Sequence, residues 1–168
     1  HLMQSASACS WCKKGAEESD LTAEEMKKKQ YIGLSRGGKN TKIHALVDGL
    51  GNPIRLIFTG GEVHDSKEAV SLLEGYDIEG STILGDKAFG TVEILGYILD
   101  NNGEAVIPPK SNATNPWDCD FYHYKERHLV ECFFNKLKHF RRVATRYDKL
   151  ATMFQAFAYL ACIMIWLL

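Results

Sequence analysis

Residues 41–61, TKIHALVDGLGNPIRLIFTGG, decide how this chain folds. One β-rich run ends near Asp48, and a second, Ile54 to Thr59, returns after Gly49-Leu50-Gly51-Asn52-Pro53. Short runs of β-branched and aliphatic residues around a Gly-, Asn- and Pro-rich connection predict a hairpin. Upstream, LSRGGKN (34–40) is a glycine-punctuated turn, and LTAEEMKKK (21–29) has helical character with Asp20 as its cap. Downstream, HDSKEAVSLLEGY (64–76) predicts a short helix capped by Asp65 or Ser66. STILGD (81–86) predicts a strand ending at Asp86, and TVEILGYILDNNG (91–103) a helix closed by Gly103. EAVIPPK (104–110) is a strand stopped by its prolines, and SNATNPWDCD (111–120) is a loop. A helix to about Val143 and a last helix after Asp148 complete the chain. A hairpin followed by alternating strands and helices implies an α/β fold, with a mixed sheet covered by helices on both faces.

The bulk properties suit one globular domain. The chain has 168 residues, 45% hydrophobic and 24% charged, enough to build a core. Residues 1–30 form a polar N-terminal segment, and 31–168 the folded core. The net charge of -1 neither favours nor excludes a polyanion partner, but its distribution is uneven. Met26 to Lys42 carries six Lys or Arg and no acid, and Tyr124 to Lys149 carries eight against three acids. Each block alone reads as a solvated face; together they suggest a polyanion-binding surface.

Five cysteines without a framework spacing point to a reducing cytoplasm rather than a secreted disulfide scaffold. Cys9 and Cys12 form a CxxC, and zinc would need two more ligands. Cys119 and His123 are candidates, but no second CxxC or HxxxH exists. Cys132 and Cys162 read as packing or neutral surface positions. The start lacks the basic-then-apolar pattern of a signal peptide. The apolar end, MFQAFAYLACIMIWLL, is shorter than the ~18 residues of a membrane span and is expected as a buried helix.

The chemistry concentrates in YKERHLVECFFNKLKHFRR (124–142), where Tyr124, Arg127, Glu131, Lys138 and Arg142 share one helical stripe. Leu129, Phe133, Leu137 and Phe140, widened by Val130 and Phe134, form a buried stripe. Glu131 is a single acid on a basic face. Salt bridging with Arg127 or Lys138 accounts for an acid there, at about 0.3–0.5 kcal/mol per pair. It does not account for the acid's isolation. A carboxylate facing a polyphosphate is repelled unless a cation stands between them. Mg²⁺ fits that place, because it takes one or two carboxylates together with phosphate oxygens.

Tyr124-x2-Arg127-x3-Glu131-x6-Lys138 resembles the Tyr-Arg-Glu-Lys signature of bacterial insertion-sequence transposases of the DDE type. SRGGKNTKIHALVDGLGNPIRLIFTGGEVHD, ILGDKAFG, AVIPPKSN and RHLVECFFNKLKHFRRVATRYDKLA resemble further segments of that family, in order, from about Leu34 to Leu168. The resemblance implies a ribonuclease H-like core in which two Asp and one Glu bind two divalent ions, Mg²⁺ or Mn²⁺. It implies cleavage of phosphodiester bonds at element ends, strand transfer into target DNA, and a homodimer on DNA. The expected location is cytoplasmic, at the nucleoid, with no membrane partner.

Asp86 matches the family's second Asp and Glu131 its Glu, 45 positions apart. On residues alone, Asp86 at a strand end reads as a helix cap or turn acid rather than a ligand, and the motif reverses that reading. No residue matches the first Asp, which the resemblance places just upstream of His1. The expectation is therefore a truncated first strand and a fragment with little activity of its own. Asp20 matches nothing, Asp48 reads as a turn acid and Asp65 as a cap.

Lys138 and Arg142 are expected phosphate contacts. Arg127 and Tyr124 either position Glu131 or touch DNA, and Lys87 approaches the scissile phosphate. Lys39 and Lys42 read equally as DNA contacts or as a solvated turn. His44 and His64 read equally as structural or functional. Trp117 is expected to anchor its loop rather than stack on a base. Two alternative functions are a nuclease of the same fold and a non-catalytic DNA-binding or assembly module derived from a transposase.

Overall fold

The structure, a computed structural model, describes residues 30–35, 38–111 and 116–167, together with the backbone of 2–10. The helix expected at 21–29 and the Cys9/Cys12 side chains lie outside the described residues. The chain divides into two compact units. The first comprises residues 1–5, 44–57 and 64–133, and the second 6–43, 58–63 and 134–168.

Seven strands are described: β1 (Leu2–Ser10), β2 (Gly33–Ser35), β3 (Gly38–Val47), β4 (Pro53–Gly60), β5 (Thr82–Gly85), β6 (Glu104–Val106) and β7 (Thr145–Arg146). Their pairing order is β2-β3-β1-β5-β6, with β4 on β3 and β7 on β1. The fold is thus mixed α/β. β1 is nine residues long and pairs with β3, β5 and β7, so the sheet is continuous through residues 2–10.

In the first unit, β1 runs parallel to β5 in the register Leu2↔Leu84 and Met3↔Gly85. β5 in turn runs parallel to β6, from Thr82↔Glu104 to Leu84↔Val106. The hairpin at 41–61 forms as expected. Asp48 is its turn acid: Oδ1 accepts from the Leu50 N–H at 2.9 Å and the Asn52 N–H at 2.8 Å. Gly51 has φ +86°, a conformation that glycine adopts without strain. His44, Ala45, Leu46 and Val47 are all buried. Successive strand residues face opposite ways, so both faces of β3 are covered here.

The core of this unit gathers Leu46, Leu72, Leu73, Ile83, Phe89, Ile94, Ile98 and Ile107. Two helices contribute, α1 (Ala69–Leu73) and α2 (Val92–Asp100). Thr91 Oγ1 caps α2 at the Ile94 N–H, and the Gly103 N–H closes it onto the Ile98 carbonyl at 2.9 Å. The helical stretch starts one residue before the expected cap at Asp65 or Ser66: a 3-10 turn, Asp65–Glu68, has His64 at its cap position and leads into α1, and Ser66 Oγ meets His64 Nδ1 at 3.3 Å.

A helical run joins α3 (Phe121–Tyr124), a 3-10 turn (Lys125–Arg127) and α4 (His128–Lys138), whose last residues belong to the second unit. Val130, Phe133, Phe134 and Leu137 are buried, as the apolar stripe requires. The run does not reach Val143. It breaks at Phe140, which is extended (φ −80°, ψ 99°), and α5 (Arg141–Ala144) begins anew. On a straight helix Val143 would sit about 240° round from Leu137, off the buried stripe. The break lets Val143 bury instead.

In the second unit, β2 pairs antiparallel with β3, and β1 pairs parallel with β7 at Cys9↔Thr145 and Ser10↔Arg146. The final helix, α6 (Ala151–Leu167), buries Ala151, Phe154, Ala158, Ala161, Cys162 and Ile165. The expectation of a wholly buried helix is corrected to one face: Met153, Leu160, Ile163, Met164 and Trp166 are exposed. Burial pushes the Cys162 thiol up to about 12, which makes it an inert packing group. No described helix is long and apolar enough to cross a membrane.

Arg146 ties this unit together. Although it counts in the basic block by sequence, it is 1% exposed and cannot belong to a charged surface. Its guanidinium donates to the carbonyls of Gln30 (2.7 Å), Asp148 (3.0 Å) and Lys149 (3.1 Å), and to Thr41 Oγ1 (2.5 Å). The Phe154 ring lies 5.2 Å away. Arg146→Ala leaves these acceptors unsatisfied, and a loss of about 2–4 kcal/mol is expected in urea unfolding. Arg146→Lys should recover only part of it, because an ammonium lacks the fork of donors.

Candidate functional site

Asp86 is positioned by the end of β5. Gly85 packs so closely that a Cβ there would meet Ile107 Cγ1 at 3.3 Å. Asp86 then leaves the strand in an extended conformation and heads the 3-10 turn Lys87–Phe89, its Oδ1 accepting from the Lys87 N–H at 2.6 Å. The turn-acid reading is therefore true of Asp86, and it is compatible with a second role, since the residue keeps some exposure.

Glu131 is positioned by the helical run. Asp120 caps that run by accepting from the Tyr122 and His123 N–H groups at 2.8 and 3.2 Å. One turn before Glu131, Arg127 donates through Nη2 to Glu131 Oε1. The Arg127 guanidinium also lies over the Tyr124 ring, 5.6 Å from its centroid. Tyr124 meets Phe121 edge to face at 6.3 Å. With the Glu131 side chain 46% exposed, the ion pair contributes only about 0.5 kcal/mol.

The electrostatics show what this part of the first unit brings together. Burial pulls the Arg127 guanidinium down, but its bond to Glu131 and the charges of Tyr124, Glu131 and Asp86 hold it above its ordinary value. Burial raises the Tyr124 phenol, Arg127 opposes that rise and Asp86 adds to it. Asp86, Tyr124, Arg127 and Glu131 thus share one electrostatic neighbourhood, with exposed Lys87 beside Asp86.

Other expected residues lie in the second unit. Lys39 and Lys138 are exposed. Arg142 stacks on Phe157 at 4.3 Å and stands 3.9 Å from Asp148 Oδ1. Lys42 donates to the Val63 carbonyl at 2.7 Å, so its ammonium serves a local contact. In the first unit, His44 is buried in β3 and His64 is exposed. Trp117 anchors its loop, as expected: Nε1 donates to the Ile107 carbonyl at 2.8 Å, and the ring packs on Gly90.

Asp86 and Glu131 offer carboxylate oxygens, the donor type a hard divalent ion takes, and both act on the charge of Arg127. Among the described residues, no group of three or more His, Cys, Asp or Glu could hold a metal. Burial and then the Asp120 charge push the Cys119 thiol up. The side chains of Cys9 and Cys12, which the zinc alternative needs, lie outside the described residues.

Sequence reasoning missed the partnership of His123 Nδ1 with Asp120 Oδ2 at 2.6 Å. The signal was an Asp three residues before a His at a helix start. The hydrogen bond to Asp120 and its charge raise the His123 imidazole, and the same bond lowers the Asp120 carboxyl. The pair is therefore intact between those limits, lost as pH rises through the raised His123 value or falls through the lowered Asp120 value. In an NMR titration, His123 should titrate above the ordinary ~6.5. Asp120→Asn should bring it back while keeping the cap.

Residues 10–118 match the family model described as the transposase DDE domain. That span contains Asp86 and ends before the helical run with Glu131. A Brucella ovis protein named "Putative transposase for insertion sequence element IS6501" is 41% identical over 128 residues, covering 76% of this chain and 98% of that protein. The chain belongs to the insertion-sequence transposases of the DDE type.

Proposed function

We propose that this chain is the catalytic core of a DNA transposase, with Asp86 and Glu131 as two of its metal-binding acids. One observation carries the reading. Two carboxylates 45 positions apart, on different elements, act on the same guanidinium in a chain of the DDE family. The strand order supports a ribonuclease H-like core of residues 31–168 together with the strand at 2–10: a hairpin β3-β4 beside β1, then parallel β5 and β6.

Bound Mg²⁺ or Mn²⁺, two ions in the complete site, would activate the attacking oxygen and stabilise the leaving one in phosphodiester cleavage at element ends and in strand transfer. The chain's own residues bind and orient. Asp86 is fixed by its bond to the Lys87 N–H, and Glu131 by Arg127. Lys87 offers a charge beside Asp86 to the scissile phosphate. Tyr124 holds the Arg127 guanidinium on its ring. Lys138, Arg142 and Lys39 serve the DNA backbone, and Lys42, one of whose three donors goes to the Val63 carbonyl, joins them. Two element ends must be held at once, so the working form is a homodimer on DNA.

The described residues supply no third acid. A site made of Asp86 and Glu131 alone should bind metal weakly and nick element-end DNA at close to background rate. Asp86→Asn and Glu131→Gln should each weaken Mn²⁺ binding about 10- to 100-fold, measured by titration. Unchanged binding in both would overturn the assignment, and rapid metal-dependent nicking by the chain would overturn the claim of an incomplete site.

For the DNA face, Lys138→Ala and Arg142→Ala should weaken binding to all sequences alike. Each should lower the slope of log affinity against log salt by about 1, read by fluorescence anisotropy. A loss confined to one sequence would instead mark base contact.

A further inference from the structure

Arg127 is placed where a cation is needed. Its guanidinium holds Glu131 Oε1, and the Asp86 charge reaches it as well. It is also the less exposed member of the pair, at 21% against 46% for Glu131. The Tyr124 face beneath it offers a second resting place that needs no carboxylate. The arrangement therefore has two states available to one side chain: on Glu131, or on the ring alone.

We infer that Arg127 is the resident counter-ion of the unloaded site, occupying Glu131 in competition with a divalent cation. This rests on the proposed metal role of Glu131. A guanidinium and a divalent ion at the same carboxylate repel each other, so Arg127 gives up Glu131 when a cation is bound there. The Tyr124 ring retains the freed guanidinium at the site, where its fork of donors matches a phosphate. In this way Arg127 keeps two acids from repelling each other before loading and becomes an anion-binding group after it. Tighter metal binding is then opposed by a cation that the protein itself carries, and the apparent affinity is lowered by the fraction of molecules in the paired state.

A purely structural Arg127 predicts the opposite sign. If it only held the Glu131 rotamer, its loss would weaken metal binding. The test is Mn²⁺ titration of the whole chain, followed by the free-ion EPR signal, with circular dichroism to check the fold. Arg127→Gln is expected to tighten Mn²⁺ binding about 3-fold, with Arg127→Lys tightening it less. Glu131→Gln is expected to weaken it, and the double variant to match Glu131→Gln. Equal or weaker binding in Arg127→Gln, alongside weakening in Glu131→Gln, overturns the counter-ion inference and leaves the metal assignment standing. No change in Glu131→Gln overturns the metal assignment and the inference with it. If Arg127→Gln does not fold, Arg127→Lys decides, and weaker binding in it overturns the proposal.

Discussion

The first unit's candidate site depends on one cation, the Arg127 guanidinium, held by one carboxylate and acted on by the charge of a second. Asp86 arrives at the end of a buried strand and Glu131 from an exposed helical face, and a single guanidinium answers to both. The supporting structure can be understood from this constraint. Gly85 lets β5 pack tightly enough to fix where Asp86 emerges. The Asp120 cap fixes where the helical run begins, and hence which side of it carries Tyr124, Arg127 and Glu131. The apolar side, Val130 and Phe133, holds the run down while leaving its polar side open.

Arg146 uses the same side chain for the opposite purpose. Its acceptors are carbonyls and a hydroxyl that come from residues 30, 41, 148 and 149. Buried there, it organises backbone that has no regular partner of its own. Arg127 and Arg146 stand nineteen positions apart in one basic block. One is a working charge at a site, the other an interior tie, and only their surroundings separate them.

That contrast marks what the amino-acid pattern could reveal. The 41–61 hairpin, the strand ending at Asp86 and the stripe from Tyr124 to Lys138 were legible because each is specified by neighbours a few residues away. The fate of Arg146 was not, since it depends on Gln30 and Thr41, more than a hundred positions off. The two-residue strand β7 was missed for the same reason: its pairing partner is β1. The break at Phe140 was hidden because local propensity favours continuing the helix, and burial of Val143 overrides it. At the site, Glu131 and Asp86 were read from motif and position. The Asp120–His123 pair was not, because a cap signal does not say whether the capping carboxylate will also take an imidazole.

The pairing of β1 has a consequence for how the molecule is made. β1 is synthesised before all of its partners: β3 follows within about forty residues, but residues 84–85 and 145–146 come much later. At about 5–20 residues per second, the ribosome reaches Thr145 roughly 7–30 s after Cys9. Until β5 and then β7 emerge, the strand at the middle of the pairing order has an edge open to the wrong partner. Contacts so distant in sequence are also slow to close once the chain is free. Chaperones that shield extended segments during translation would therefore influence the yield of this protein more than its equilibrium stability would suggest.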